Sequence, residues 1–474
     1  MATTAAQRAQ RSEGGYRPEA AGEPSAGPRR AYVETYGCQM NISDGELMEG
    51  ILAGAGYELA PRPEDADVIL INTCAIREHA EQRVLGRVGQ LQALRNERPD
   101  ILIGVTGCMA QRLGDTLFEQ APYVDLVVGP DGYRDLPQRL AQAHGGRSAR
   151  TRPKSRGLQL TVLELDPREN YEGLEQRHTG RTAAWIPIQR GCDHRCTFCI
   201  VPYVRGPEKN RRPADVLEEV TRLADGGLTE VTLLGQTVNS YQAEGWSFPR
   251  LLRAVARVPG IRRVRFTSPH PNDVSEELIA AMAEESAVCE QLHLPLQSGS
   301  DRILKRMVRR YTVDRFLAIV EDVRAQVPDI ALSTDVIVAF PGETEAEFEE
   351  TLAVIRAVRF DDAFTYRYSP REGTPATRLP PEEFVPDSVG AARLERLIEV
   401  ARAVQQEINE TEVGRVEEVL VEREARTPGQ LMGRTRRAKV VAFEASPERI
   451  GSYVHVRLTG TTGPTFAGQL VEGA

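Results

Sequence analysis

The sequence predicts an α/β protein with an amino-terminal open parallel α/β sheet domain, a central partial (β/α)6 barrel and a carboxy-terminal small β-barrel. Three observations support this. From residue 32, short apolar segments alternate with longer amphipathic ones, which is typical of parallel strands covered by helices. Six further strand and helix repeats follow within residues 178–408. From residue 416 the pattern changes to short strands separated by Gly and Pro.

Length and composition agree with this organisation. At about 150 residues per domain, 474 residues suggest three domains. Apolar runs stay below the roughly 18 residues of a membrane span. Residues 1–30 contain no apolar core segment, so they are predicted to form a disordered tail and not a signal peptide. A cytoplasmic protein with no membrane partner is expected.

The charge pattern leaves nucleic-acid binding open. A formal net charge of −9 weighs mildly against it, because phosphate binding relies on clustered Lys and Arg. Two basic stretches, residues 147–156 and 434–439, depart from this acidic balance. Either stretch is also compatible with a solvated surface.

Three cysteines follow predicted strands of the first domain, residues 31–146. The strands are residues 32–36, 68–71, 101–105 and 124–128, and just beyond the first three lie Cys38, Cys74 and Cys108. Because the carboxyl ends of parallel strands share one edge of a sheet, these thiols can meet as a three-thiolate site. Alternatively, each cysteine packs as a small hydrophobic residue. The shared topological position of all three favours the thiolate site.

A linker is predicted over residues 147–177, because residues 141–157 lack apolar periodicity. The next domain, residues 178–408, contains six predicted strands with helices between them. Six such repeats indicate an incomplete (β/α) barrel, whose active site lies at the strand carboxyl ends. The predicted strands are residues 184–188, 230–234, 264–267, 291–294, 332–338 and 363–368.

A Cys-x3-Cys-x2-Cys loop, with Cys192, Cys196 and Cys199, follows the first barrel strand. Three thiolates this close in sequence can converge on one soft metal centre, as in iron-sulfur clusters. Three protein ligands leave one iron of a four-iron cluster open to an exogenous ligand. A zinc site completed by His194 is the alternative, although that position would strain so short a loop. An odd number of cysteines, seven, weighs against disulfides.

Polar or Gly-rich segments lie at four other strand ends of the predicted barrel, residues 235–239, 268–271, 297–300 and 341–344. Each alone is compatible with a turn or a helix cap. Their recurrence at one barrel edge indicates a shared pocket. His270 and His293 are compatible with satisfied core residues, and Cys289 is predicted to be structural.

The carboxy-terminal part begins after a helix predicted over residues 388–407. Short strands are then predicted at residues 416–421, 439–443, 453–458 and 466–470. Small barrels often bind single-stranded or looped nucleic acid through a basic rim. A solvated hairpin that only caps the enzyme is the alternative.

The cysteine loop, with Phe198 inside it and residues 200–203 after it, resembles the signature of the radical S-adenosylmethionine (SAM) superfamily. The resemblance implies that the three loop cysteines hold a [4Fe-4S] cluster whose open iron chelates SAM. It also implies reductive cleavage of SAM to a radical that abstracts hydrogen from an unactivated carbon. Cofactor contacts are expected at Phe198, Gln236, Ser298 and Asp335.

Residues 35–41, 72–78 and 107–111 resemble the amino-terminal domain of the methylthiotransferase family. The resemblance implies a second [4Fe-4S] cluster on Cys38, Cys74 and Cys108, whose open iron carries the sulfur to be delivered. Residues 433–437 resemble the basic hairpin of the TRAM domain, an RNA-binding module expected over residues 411–474. RNA contacts are expected from Arg434, Arg436, Arg437 and Lys439.

Resemblance to this family covers almost all of residues 32–474. It implies methylthiolation of carbon 2 of N(6)-isopentenyladenosine at position 37 in a tRNA anticodon loop, by a monomer served by a low-potential donor such as flavodoxin or ferredoxin. Sister methylthiotransferases acting on threonylcarbamoyl-adenosine or on a ribosomal-protein aspartate are the nearest alternatives. A non-catalytic iron-sulfur RNA-binding protein is an alternative of another class. Residues 207–213 depart from the commonest family pattern, which leaves local substrate contacts open.

Overall fold

The computed structural model describes residues 28–75, 78–148, 159–180 and 182–471. The predicted tail therefore lies outside the described residues as far as position 27. Residues 149–158, which include most of the basic stretch 147–156, lie outside them as well. The domain limits given above stay predictions. Within the described part of the chain, no helix is both long and apolar enough to cross a membrane.

The first domain is a six-stranded parallel sheet in the order β2-β1-β3-β4-β5-β6. Alternate residues of β3 enter two separate cores, one on each face of the sheet, which explains why the strand reads as a continuous apolar run. Its strands are β1 (Arg30–Thr35), β2 (Glu58–Leu59), β3 (Val68–Thr73), β4 (Leu102–Gly107), β5 (Leu126–Val128) and β6 (Leu160–Val162). Its helices are α1 (Gln39–Gly54), α2 (Glu78–Glu97), α3 (Cys108–Leu113), α4 (Thr116–Gln120) and α5 (Leu136–Ser148).

Both edge strands of this sheet are absent from the sequence prediction. β2 has two residues, too few to produce a pattern, and β6 lies inside the predicted linker. The four predicted strands are all present and pair in parallel as expected.

Six parallel strands form the partial barrel of the second domain. Three pair in the order β7-β10-β13 and three in the order β14-β15-β16. An isolated parallel bridge between Val264 and Val288 lies where the two sheets meet. The barrel strands are β7 (Ala183–Pro187), β10 (Glu230–Leu234), β13 (Arg263–Phe266), β14 (Gln291–His293), β15 (Ala331–Val338) and β16 (Asp362–Arg367). Short strands accompany them, namely β8 (Gln189–Arg190), β9 (Lys209–Asn210), β11 (Gln242–Ala243) and β12 (Trp246–Ser247).

Helices cover the barrel, and local sequence signals fix where several begin. Pro213 occupies the first turn of α7, and Thr344 with Glu347 forms a capping box at the start of α12. The helix predicted over 388–407 is present and longer, as α13. The helices are α6 (Val201–Arg205), α7 (Pro213–Asp225), α8 (Phe248–Ala256), α9 (Glu276–Glu284), α10 (Asp301–Arg306), α11 (Val313–Gln326), α12 (Glu345–Val358) and α13 (Asp387–Glu412).

The carboxy-terminal domain is a closed five-stranded barrel in the order β17-β18-β19-β21-β20. Four of its strands are predicted from the sequence, and β18 is not. The strands are β17 (Val416–Glu424), β18 (Gln430–Thr435), β19 (Val440–Glu444), β20 (Tyr453–Thr462) and β21 (Thr465–Leu470).

Two arginines of β13 hold the small barrel against the central domain. Arg263, fully buried, donates to the carbonyl oxygens of Arg434 over 2.9 Å and of Glu418 over 2.8 Å. Arg265 donates to the carbonyl oxygens of Thr435 and Arg436, each over 2.7 Å. Glu418 belongs to β17, while Arg434, Thr435 and Arg436 belong to β18 and the turn after it, so the orientation of the basic segment is fixed by the central barrel.

We expect Arg263→Gln to destabilise the attachment of the small barrel by about 3–5 kcal/mol, because it removes a buried cation and leaves its acceptors unpaired. Limited proteolysis with a urea titration would measure the release of the small barrel. Arg262→Gln is the matched control, since Arg262 is half exposed and pairs with Glu418 at the surface, where such pairs contribute about 1 kcal/mol or less. Equal release of the small barrel in both variants would contradict the claim that the buried Arg263 holds it in place.

Candidate metal and cofactor site

The cysteine loop, residues 192–199, begins directly after β8. Gly191 turns the chain there with a φ of +75°, and a Cβ at this position would lie 1.9 Å from the carbonyl oxygen of Pro207. Only glycine fits so close an approach. The main-chain nitrogen of Cys192 then donates to the carbonyl oxygen of Gly206 over 3.2 Å, which fixes the start of the loop.

We call the three loop cysteines, Cys192, Cys196 and Cys199, the first trio, and burial affects the ionisation of two of them. Burial raises the pKa of Cys192, and it raises the pKa of Cys199 to about 12. The Cys192 sulfur lies 3.1 Å from the Thr237 hydroxyl, and the Cys196 sulfur accepts a hydrogen bond from Nη1 of Arg309 over 3.4 Å. Buried thiols of this kind stay protonated alone, whereas a bound metal ion deprotonates them. The first trio is therefore suited to a cationic centre.

The second trio, Cys38, Cys74 and Cys108, lies at the ends of three adjacent strands, β1, β3 and β4. Two glycines with positive φ allow the chain to bring them together. At Gly37, with a φ of +136°, a Cβ would lie 2.5 Å from the Cβ of Cys74. At Gly107, with a φ of +91°, a Cβ would lie 2.6 Å from a carbonyl oxygen of β3. The geometry needs glycine at both positions.

The thiols of the second trio differ in ionisation. A hydrogen bond with the Cys74 thiol lowers the pKa of Cys38. Burial raises the pKa of Cys108, whose sulfur accepts a hydrogen bond from Nε of Arg205 over 3.2 Å. Three cysteine sulfurs at one sheet edge, one of them with a lowered pKa, give a set of soft ligands.

A single cavity of about 210 Å³ connects the two trios. Its wall includes Cys38 and Cys108 of the second trio and Cys192 and Cys199 of the first. Centres bound at the two trios would therefore face the same cavity.

Three family descriptions match successive parts of the chain. Uncharacterized protein family UPF0004 matches residues 30–129, the Radical SAM superfamily matches residues 186–355, and the TRAM domain matches residues 410–471. A relative from Thermoanaerobacter sp. (strain X514), named tRNA-2-methylthio-N(6)-dimethylallyladenosine synthase, is 44% identical over 447 residues, 93% of this chain and 92% of its own. The chain belongs to this synthase family. A relative of the same name from Paracoccus denitrificans (strain Pd 1222) is 42% identical over 457 residues, 95% of this chain and 99% of its own.

Solved structures share the fold of this synthase family member at low sequence identity. The radical SAM methyltransferase TsrM from Kitasatospora setae, with cobalamin and a [4Fe-4S] cluster bound, has a TM-score of 0.55 and 16% identity, covering 85% of this chain and 80% of its own. The cobalamin-dependent SAM radical enzyme OxsB has a TM-score of 0.51 and 14% identity, covering 78% of this chain and 56% of its own.

Membership in the synthase family makes the chain a radical SAM transferase, for which SAM and a [4Fe-4S] cluster are the implied cofactors. The donor set fits a cluster, since all seven cysteines are free thiols. Nε2 of His194, the ligand of the zinc alternative, contacts Asp273 over 2.8 Å, and the His194 ring stacks on His270 at 3.8 Å. His194 thus belongs to a hydrogen-bonded group beside the cysteine loop.

The four residues predicted to contact cofactor lie in different places. Gln236 lines the shared cavity, and its buried Oε1 has no hydrogen-bond partner among the described residues. Phe198 packs against a separate apolar cluster, and the buried Ser298 accepts a hydrogen bond from the main chain of Ser300. Asp335 lies 3.3 Å from Nε2 of His293. Of the four, Gln236 alone is in the cavity wall.

The basic residues predicted to contact RNA are mostly engaged within the protein. Arg436 pairs with a carboxylate of the central barrel over 2.8 Å, Arg437 with one of α13 over 2.8 Å, and Lys439 with one before β16 over 2.7 Å. Arg434 is the most exposed of the four, with 47% of its side chain accessible, and pairs with Glu422.

Sequence reasoning missed the charged residues that surround the second trio. Asp44 on α1 lies fully buried between Arg190 and Arg205 of the central domain. A charged residue on an amphipathic helix usually faces solvent, so the pattern of α1 gives no sign of this role. The position of Arg205, shortly after the cysteine loop, is the one feature of the sequence that could have indicated a charged residue near the cysteines.

We expect Gly107→Ala to displace Cys108, because a Cβ there meets main-chain atoms of β3 that cannot move away. Metal retained after anaerobic reconstitution with iron and sulfide should fall by about half if each trio holds one cluster. Gly86→Ala in α2 is the control, because its Cβ would have no heavy atom within 4 Å among the described residues. Full iron content in the Gly107→Ala variant would contradict the claim that the close approach of Gly107 to β3 is needed to place Cys108.

Proposed function

We propose that this chain attaches a methylthio group to carbon 2 of N(6)-isopentenyladenosine at position 37 of tRNA. The observation that carries the proposal is the single cavity lined by cysteines of both trios, in a chain 44% identical to a synthase named for this product. A reaction that delivers sulfur to a radical carbon requires both centres to reach one substrate. The shared cavity supports that requirement.

The cofactors are assigned by the chemistry of the donor residues. The first trio would hold the [4Fe-4S] cluster that binds SAM, and the second trio would hold a second [4Fe-4S] cluster. When bound, these groups supply a SAM-derived radical and a sulfur atom respectively. Carbon 2 of adenine carries neither an acidic proton nor a leaving group, so proton transfer from side chains cannot activate it. For this reason the chain's own residues enclose and orient the substrate, and none is needed as a general base.

Side chains of the cavity wall perform this enclosing role. Ala75, Val201, Val204 and Leu234 line the cavity with apolar surface and keep water from the reacting atoms. The free Oε1 of Gln236 offers a hydrogen-bond acceptor to SAM. Phe198, Ser298 and Asp335 remain candidate contacts for cofactor or for a substrate that enters the barrel.

The tRNA would bind through the small barrel, with Arg434 as the most accessible contact and Arg436, Arg437 and Lys439 behind it. An anticodon loop suits this reaction because its unpaired bases can be turned out into a pocket. The net acidity of the chain would confine RNA to that basic face. We also propose a monomer in the cytoplasm that receives electrons from flavodoxin or ferredoxin.

Anaerobic incubation of the reconstituted enzyme with SAM, dithionite and either isopentenyl-modified or threonylcarbamoyl-modified tRNA tests the substrate. We expect mass spectrometry of the nucleosides to show methylthiolation of the isopentenyl form alone. Cys196→Ala should abolish both 5′-deoxyadenosine and product, because the first trio is broken. Modification of the threonylcarbamoyl form alone would overturn the assignment, and intact protein that yields no 5′-deoxyadenosine would favour a non-catalytic RNA-binding role.

Arg434→Gln should weaken tRNA binding several-fold, because it removes an accessible cation from the proposed RNA face. Since each phosphate contact contributes about 0.7–0.9 to the slope of log K against log salt, the slope should fall by nearly 1. Fluorescence anisotropy across a salt series measures both quantities. Arg449→Gln, which removes an exposed cation elsewhere on the same barrel, controls for net charge. Equal effects of the two substitutions would exclude a specific contact at Arg434.

A further inference from the structure

A buried group of charges lies where the first domain meets the central domain. The carboxylate of Asp44 accepts hydrogen bonds from Arg190 over 2.5 Å and from Arg205 over 2.6 Å. All three side chains are at most 5% exposed. Two cations therefore share one anion, and the group carries an excess positive charge in a medium that screens charge poorly.

Arg205 is the member of this group that also contacts a cysteine. Its Nε donates to the Cys108 sulfur over 3.2 Å, while its Nη2 holds Asp44. Its Nη1 is buried and has no hydrogen-bond partner in the described part of the chain, although Arg205 lines the shared cavity. A buried guanidinium with one free donor at the cavity is suited to an electron-rich sulfur ligand there.

The first trio has a corresponding arginine. Arg309 is buried, and its Nη1 donates to the Cys196 sulfur over 3.4 Å while its Nε donates to the Tyr311 hydroxyl over 3.1 Å. Each trio thus has one sulfur that accepts a hydrogen bond from one buried guanidinium. The two arginines differ in their second contact, because only Arg205 is tied to the other domain through Asp44.

The remaining charges near Arg205 do not cancel its effect. The Asp131 carboxylate is paired with Lys209 over 2.6 Å, so that pair is neutral overall. Arg190 lies over the ring of Tyr171 at 3.8 Å, and within the described part of the chain its hydrogen bond goes to Asp44 and not to a cysteine sulfur. Arg205 is therefore the cation placed to act on the second trio directly.

We propose that Arg205 is a positioning residue that sets the reduction potential of the metal centre held by Cys38, Cys74 and Cys108. This inference rests on the proposed function for the presence of that centre. A hydrogen bond to a cysteine sulfur and a nearby positive charge both stabilise the reduced state of an iron-sulfur centre, and so raise its potential. Because Asp44 holds the same guanidinium, the electronic effect depends on the docking of the first domain.

Redox titration of the anaerobically reconstituted full-length protein, followed by electron paramagnetic resonance, tests the proposal without tRNA. Signals are assigned by comparison with a full-length variant in which the first trio is replaced by alanine. We expect Arg205→Gln to shift the potential of the second-trio centre to more negative values and to leave the first-trio centre unchanged. Arg309→Gln should shift the potential of the first-trio centre to more negative values and leave the second-trio centre unchanged. Arg205→Lys, which keeps the charge, should shift the second-trio centre less than Arg205→Gln does.

Arg190→Gln is the matched control, because it removes the other ion pair of Asp44 without touching a sulfur. A shift in Arg190→Gln as large as that in Arg205→Gln would overturn the proposal in favour of a purely structural interface, and so would unchanged potentials in both Arg205 variants. If Arg205→Gln does not fold, Arg205→Lys is compared with Arg190→Gln. A larger shift in Arg205→Lys supports the proposal, and an equal or larger shift in Arg190→Gln overturns it. A second trio that binds no iron in the parent protein would refute the inference and the cofactor assignment together. Shifted potentials in a protein that does not modify tRNA would uphold the inference and reject only the proposed substrate.

Discussion

One buried carboxylate, that of Asp44, connects the two domains that form the cavity. Among the described residues, its cationic partners are Arg190 and Arg205 of the other domain, so separation of the domains would leave a charge without compensation. Breaking such a buried pair costs several kcal/mol, far more than a surface pair. The contact between the two domains that form the cavity therefore also pairs the Asp44 carboxylate with its cations. The walls that exclude water depend on this ion pair as much as on apolar contact.

Strands rich in β-branched and aliphatic residues are the ones that the sequence predicts. The predicted limits of β10 coincide with the observed ones, and four of its five buried residues, Val231 to Leu234, are of these types. The strand β18 is missed because Gly433 lies within it and reads as a turn signal. In the fold that glycine is required by close packing, since a Cβ would lie 2.2 Å from the carbonyl oxygen of Leu420. Edge strands β2 and β6 are missed because they are too short to show a period.

The cysteines of the site could be predicted from the sequence, because strand topology alone brings the second trio to one sheet edge and the loop spacing brings the first together. The groups that act on those sulfurs could not. Arg205 and Arg309 reach their cysteines through tertiary packing, across 97 and 113 residues of sequence. In the basic run at residues 434–439, the sequence shows the charged residues but not the groups that they contact. Its charges indicate a nucleic-acid surface, but most of their carboxylate partners lie on other elements, which a local pattern cannot reveal.

The contacts of Arg263 and Arg265 have a geometric consequence. They hold main-chain carbonyls at the end of β18 and so fix the small barrel relative to β13, and a residue just after β13, Thr267, lines the cavity. If the basic rim binds RNA as proposed, these contacts would set the distance between the bound polynucleotide and the cavity, and a base would be selected first by its position along the strand.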